Sequence, residues 1–177
     1  MSLLEADIVS VPVRTPAEIA CVASLAQRIW PEHYTSIIGA AQVAYMLQCI
    51  QSIDAITAQI TSGDQYFLVS SAHDDVPDDP PWIGYYSVRS QPETRRMFIS
   101  KLYLLKTQRG KGLGRAMVDE ITLFAKQNHL NTLWLTVNKN NPAFDIYLRW
   151  GFVNKGPVVK DIGEGFVMDD FLLEKTV

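Results

Sequence analysis

Gln108-Arg109-Gly110-Lys111-Gly112-Leu113-Gly114-Arg115 sets glycines and cations together where a strand-like run gives way to a helix-like one. A helix start offers unpaired N–H groups and the positive end of the helix dipole, and glycine lets a phosphate approach the backbone closely. The segment therefore suits an anion such as a pyrophosphate. Two common phosphate loops do not fit. The Walker pattern needs Ser or Thr after Gly-Lys, and Gly112 stands there. A dinucleotide fingerprint needs G-x-G-x-x-G and an acid ending the next strand, whereas here the spacing is G-x-G-x-G and that strand ends at Val137-Asn138. Taken alone, the glycines are equally consistent with a plain strand-helix turn.

A second constellation lies further along: Asn140-Asn141-Pro142-Ala143 leads to Tyr147, Arg149 and Gly151-Phe152. The loop Arg109 to Gly114 matches R/Q-x-x-G-x-G/A, and the later run matches N-x-x-A-x-x-x-Y-x-K/R-x-G-F. Together they resemble the GCN5-related N-acetyltransferase (GNAT) superfamily, which moves an acetyl group from acetyl-CoA to an amine. The resemblance is strongest over residues 97 to 153. The run KLYLLKTQRGKGLG, then LWLTVNKNNPAFDIYLRWGF, and the acids near Met168 are most similar to the small polyamine N-acetyltransferases of bacteria.

The resemblance implies roles residue by residue. Backbone N–H groups from Arg109 through Gly110, Lys111, Gly112, Leu113 and Gly114 to Arg115 would grip the CoA pyrophosphate, with the Arg109, Lys111 and Arg115 side chains secondary. Leu102, Tyr103 and Leu104 would pair through their backbone with pantetheine, as an added strand does where the family's sheet splays. One of their N–H groups, near Leu102 or Tyr103, would hold the oxyanion. Asn140 would contact the cofactor near its thioester arm, or cap the next helix. Tyr147 would protonate the departing thiolate, a phenol of pKa about 10 beside a thiol of about 8.5; the alternative is an aromatic on the core side of a helix.

The general base is not carried over. Many relatives have Glu where Ser100 stands, and deprotonating an alkylammonium of pKa about 10.4 at pH 7 costs roughly 4 to 5 kcal/mol. A water chain through Ser100, or an acid such as Asp169 or Glu93, is the substitute expected. His33 is expected to be a surface or capping residue, with the acceptor cleft as its other assignment. Trp30, Tyr34 and Tyr45 serve either the core or an acceptor wall. The acids Asp74, Asp75, Asp78 and Asp79 read as a solvated hairpin tip.

These residues need a scaffold, and the sequence outlines an α/β one. Asp7 to Arg14 reads as an edge strand, given Pro12. Thr15-Pro16-Ala17-Glu18 signals a helix start, and Pro31 predicts its end at Trp30. One or two helices follow between Gly39 and Thr61, with Ser52 as a break. Strands are expected over Tyr66 to Ala72, Trp82 to Arg89 and Met97 to Leu105, then a long amphipathic helix carrying Leu113, Met117, Ile121 and Phe124. Thr132 to Val137 reads as a strand buried on both faces, Asn141 to Trp150 as a helix, and Phe152 to Val159 and Phe166 to Leu173 as the last strands. The sum is a mixed, mostly antiparallel central sheet of about seven strands flanked by about four helices.

With 177 residues, one domain spanning 1–177 is expected. A formal charge of -3 gives no electrostatic footprint for nucleic acid, and no apolar run reaches the roughly 18 to 20 residues that cross a bilayer. Cys21 and Cys49 lack metal-ligand spacing and read as buried free thiols; with no signal peptide, the cytosol is the expected location. No metal is expected. The function implied is an acetyl-CoA-dependent N-acetyltransferase acting on a small primary amine. An idle acyl-CoA-binding module and a protein N-terminal or lysine acetyltransferase are the alternatives, and pairing as a homodimer stays open.

Overall fold

The Thr15 side chain accepts from the Glu18 N–H at 3.3 Å, and the Glu18 carboxylate accepts from the Thr15 N–H at 2.8 Å and the Arg14 N–H at 2.6 Å. The helix α1 (Pro16–Ile38) thus starts on a reciprocal cap with Pro at its first position. The Arg14 and Thr15 N–H bonds hold the Glu18 carboxyl below its ordinary range. The computed structural model describes residues 8–72 and 82–177, so Asp7 and the acids Asp74, Asp75, Asp78 and Asp79 lie outside the described residues.

Pro31 does not end α1, contrary to expectation; the helix continues to Ile38 and stops at Gly39. A helix-interior proline costs about 3 kcal/mol. Here Trp30 is 3% exposed and the Tyr34 ring packs against it, tilted, at 4.6 Å, so aromatic packing on both sides of Pro31 offsets that cost. The Thr35 hydroxyl donates to the Pro31 carbonyl at 2.6 Å in the turn that follows.

Two helices follow, α2 (Ala40–Cys49) and α3 (Ile53–Thr61), with Ser52 capping the second through the Ala55 N–H. The remaining elements are β1 (Ile8–Pro12), β2 (Gln65–Ser71), β3 (Gly84–Gln91), β4 (Arg96–Leu104), α4 (Leu113–Gln127), β5 (Thr132–Asn138), α5 (Ala143–Arg149), β6 (Val153–Gly163) and β7 (Phe166–Thr176). The seven strands hydrogen-bond in the order β1-β2-β3-β4-β5-β7-β6, with β4 and β5 parallel. Pro12 does lie on an edge strand. Five α-helices are seen among the described residues rather than about four, because the Gly39 to Thr61 stretch divides at Ser52.

The chain forms two compact units, Met1–Val88 with Lys101–Ile121, and Arg89–Ser100 with Thr122–Val177. In the first, α1 buries Val22, Leu25, Ala26 and Ile29, and Leu68, Val69, Tyr85, Met117 and Ile121 are equally closed to solvent. In the second, Leu133, Leu135 and Val137 of β5 are buried while Trp134 and Thr136 between them are half-buried. That alternation corrects the expectation of a strand buried on both faces: only every second side chain is closed off. Cys49 is exposed and Cys21 half-buried, both as free thiols; Cys49 is the last residue of α2, where the turn leaves it open.

Candidate active site

In the first unit β4 ends at Leu104, and the chain turns through Lys106–Gln108 into an extended Arg109. Gly110 and Gly112 have φ of +77° and +84°, values an L side chain resists, so the loop is built on glycine geometry. The Gly112 carbonyl accepts from the N–H groups of Arg115 at 3.0 Å and Ala116 at 3.1 Å, which makes it the first carbonyl of α4. The Leu113 and Gly114 N–H groups therefore have no helical carbonyl behind them, and the helix dipole adds partial positive charge there.

The three cations of the loop are engaged with the protein. Lys111 donates to the Gln108 side chain at 2.9 Å, and Arg115 donates to both oxygens of Asp119, one turn on, at 3.0 Å. Arg109 donates to the Leu104 carbonyl at 3.2 Å and lies 3.1 Å from the His33 Nδ1. A guanidinium only donates, so this contact requires an unprotonated Nδ1. His33 therefore caps no helix end and makes an exposed contact with the loop. It sits half-buried inside α1, because the helix runs on past Pro31 and delivers it to the loop.

Leu102 and Tyr103 are half-buried and Leu104 is buried. The Tyr103 ring packs 5.5 Å from Trp30, 5.3 Å from Tyr85 and 6.2 Å from Tyr34. Of the expected wall, Trp30 and Tyr34 join this cluster, while Tyr45 is half-buried on α2. Sequence reasoning missed Gly84: a Cβ there would lie 2.3 Å from the Tyr103 carbonyl oxygen, so the end of β4 lies against bare backbone of β3. It also missed Lys101, which is 5% exposed, donates to the Gln59 side chain at 2.8 Å and stands over the Tyr66 ring. A strand lysine ordinarily reads as outward-facing.

The second unit holds Ser100, Asn140 and Tyr147. Tyr147 is 9% exposed on α5, edge-on to Trp150 at 5.7 Å and Phe152 at 5.5 Å. Asn140 is exposed and caps no helix: α5 has Pro142 at its N-cap with no side-chain cap, and the buried Asn141 side chain before it accepts from the Ala143 N–H at 3.0 Å.

Ser100 is half-buried on β4. The β4–β5 ladder runs from Arg96↔Thr132 to Phe98↔Trp134, and Ser100 and Thr136 are the next residues on the same faces of their strands. Of the candidate acids, Glu93 is exposed in the turn before β4 and Asp169 pairs with Lys139. The neighbouring Asp170 is 4% exposed. Burial raises its carboxyl above the ordinary value and the Asp169 charge adds to this, against a hydrogen bond from Thr136 and the Lys139 charge. The signal was present in FVMDDFLL: two adjacent acids on a strand face opposite sides, so one must point inward.

Among the described residues no three His, Cys, Asp or Glu side chains gather as a metal site, and no helix is long and apolar enough to cross a membrane.

The streptothricin acetyltransferase of Streptomyces lavendulae is 34% identical over 70 residues, which span 39% of this chain and 37% of that protein. The PaiA N-acetyltransferase of Thermoplasma acidophilum, solved in complex with coenzyme A, shares the fold with a TM-score of 0.74 at 17% identity, over 97% of this chain and 99% of that one. A spermidine N-acetyltransferase SpeG chimera from Vibrio cholerae and hSSAT does so with a TM-score of 0.68 at 17% identity, over 96% and 95%. The profile of the family described as Acetyltransferase (GNAT) matches residues 26–152, a stretch that contains both the glycine loop and the Asn140 to Phe152 segment. The chain belongs to the acetyltransferase (GNAT) family.

Proposed function

We propose that this chain is an acetyl-CoA-dependent N-acetyltransferase whose acceptor is the primary amine of a small molecule, polyamine-like in character, and that 1–177 works as one domain. The observation that carries the reading is the loop from Arg109 to Arg115, where two glycines of positive φ lead into a helix start with unpaired N–H groups, inside the stretch the family profile matches. The relative named for spermidine supports a polyamine-like acceptor. One domain is supported by β4, which gives Arg96–Ser100 to one unit and Lys101–Leu104 to the other.

Acetyl-CoA supplies the activated thioester. The N–H groups of Gly110 to Gly114 hold its pyrophosphate, with Arg109, Lys111 and Arg115 adding charge around it, and the Leu102–Leu104 backbone pairs with its arm; the Arg109 and Arg115 N–H groups are already bonded to the Lys106 and Gly112 carbonyls. Asn140 contacts the arm, and a backbone N–H near Leu102 or Tyr103 donates to the carbonyl oxygen as negative charge develops there. The Tyr147 hydroxyl gives its proton to the departing sulfur.

An assay of CoA release from acetyl-CoA over polyamines, amino acids, aminoglycosides and short peptides tests this. Turnover with small amines supports it, and turnover confined to peptides moves the acceptor to protein. The hydroxyl at Ser100, where relatives often carry a carboxylate, favours one other reading, an acyl-CoA-binding module; tight CoA binding with no turnover is its signature.

A further inference from the structure

The second unit carries a polar row that the proposed chemistry leaves unused. Phe98 stacks on Trp134 at 4.1 Å and Arg96 pairs with Glu174, so Arg96, Phe98, Trp134 and Glu174 share one face of the sheet. Side chains alternate along a strand, which puts Ser100 and Thr136 on that same face. In the β5–β7 register Trp134 faces Glu174, Thr136 faces Leu172 and Asn138 faces Asp170, so Asp170 belongs to it as well. The row is closed by the hydrogen bond between Thr136 and Asp170.

We propose that Asp170 is the terminal proton acceptor of the transfer reaction, receiving the amine's proton through the hydroxyls of Ser100 and Thr136 with water between them. This rests on the acetyltransferase reading above. The balance is complete. The alkylammonium loses one N–H proton to the Ser100 side of the relay, each hydroxyl passes on its own hydrogen as it takes another, and the Asp170 carboxylate becomes a neutral carboxyl. The amine nitrogen then forms its bond to the acetyl carbon while the carbon–sulfur bond breaks. The second nitrogen proton returns to the Tyr147 oxygen, replacing the one that Tyr147 gave to sulfur, and Asp170 releases its proton to solvent.

Three observations favour Asp170 over the acids named from sequence. Glu93 is exposed, and Asp169 is held in an ion pair by Lys139. Asp170 is buried, and its proton affinity is raised toward that of the amine by burial and by Asp169, with Lys139 and Thr136 opposing. Across the sheet it faces Asn138 on β5 and Val158 on β6, neither of which titrates.

The test is the pH profile of kcat/KM from pH 5 to 10 for the full chain with acetyl-CoA and spermidine, and with the best acceptor of the amine panel if that is another. Wild type is expected to show an acidic limb set by the raised carboxyl of Asp170. Asp170→Asn should lower the rate on the order of a hundredfold at pH 7 and replace that limb by a rise toward the amine's own pKa. Asp170→Glu should restore a titrating limb. Thr136→Val provides a second reading should Asp170→Asn fail to fold: it removes the bond that favours the carboxylate, so the rate should fall and the limb move to higher pH. An Asp170→Asn or Thr136→Val profile that superimposes on wild type overturns the proposal alone. Absence of both acetyl-CoA binding and turnover in wild type overturns the acetyltransferase reading and the relay with it.

Discussion

Adding one methyl group to β3 should weaken both the fold and the grip on acetyl-CoA. In Gly84→Ala the new Cβ would lie 2.3 Å from the Tyr103 carbonyl oxygen, 2.8 Å from the Leu104 Cδ2 and 3.2 Å from the Leu104 Cα. Leu104 can swing its methyl aside, but the Tyr103 oxygen belongs to the backbone. A relaxed carbon–oxygen contact is about 3.3 Å or more, so β4 must retreat by roughly 1 Å. Overpacking of this kind costs about 1–3 kcal/mol. For a chain of this size that lowers Tm by roughly 2–4 °C per kcal/mol, or about 2–12 °C in all. The displaced backbone is the Leu102–Leu104 stretch proposed to pair with pantetheine, so acetyl-CoA affinity should fall further than global stability requires. Urea denaturation followed by circular dichroism gives the first quantity, and calorimetric titration with acetyl-CoA under conditions where the variant is fully folded gives the second. A variant within about 0.5 kcal/mol of wild type, with unchanged affinity, would refute the reasoning.

Acetyl-CoA at a hundredfold excess over its Kd should stabilise wild type by about 2.7 kcal/mol. Gly112→Val puts a β-branched residue at φ +84°, and a thermal scan should show that shift abolished while the apo fold persists. Tyr147→Phe keeps the ring contacts to Trp150 and Phe152, so acetyl-CoA binding should be retained while steady-state turnover falls ten- to a hundredfold; unchanged turnover would place the proton donor elsewhere. Asp170 has a raised folded-state pKa, so its contribution to stability is full below the unfolded value near 3.9 and is lost as pH rises through the folded value. Urea melts between pH 4 and 7 should show that loss in wild type and not in Asp170→Asn. Glu18 has the opposite sign, its lowered pKa giving stability that is lost as pH falls through the folded value, and Glu18→Gln should remove that acid sensitivity from the same melts.

Much of the scaffold was legible because short-range chemistry and long-range packing agree along most of the chain. The Thr15 to Glu18 cap, the Ser52 break and the strand-loop-helix around Arg109 depend on residue types within a few positions of one another. Pro31 shows where that logic stops. Its effect on a helix is local and unfavourable, whereas the packing of Trp30 and Tyr34 against Tyr103 couples residues far apart in sequence. The contact of His33 was hidden for the same reason, since its partner Arg109 becomes its neighbour only when α1 continues past the proline.

The chemistry was less legible than the scaffold, and Ser100 shows why. A motif identifies a residue by its distance along the chain from other motif residues, so it can report that a carboxylate is missing at one position without reporting what replaces it. A replacement on β7 shares no local spacing with β4; only the register Asn138↔Asp170, together with the face shared by Phe98 and Trp134, brings the two onto one surface. Strand alternation already required one of Asp169 and Asp170 to turn inward, and the Lys139 pair determines which. Asp169 is held in an ion pair by Lys139, and the buried Asp170 has a raised proton affinity, the property that the proposed relay asks of a residue on that face.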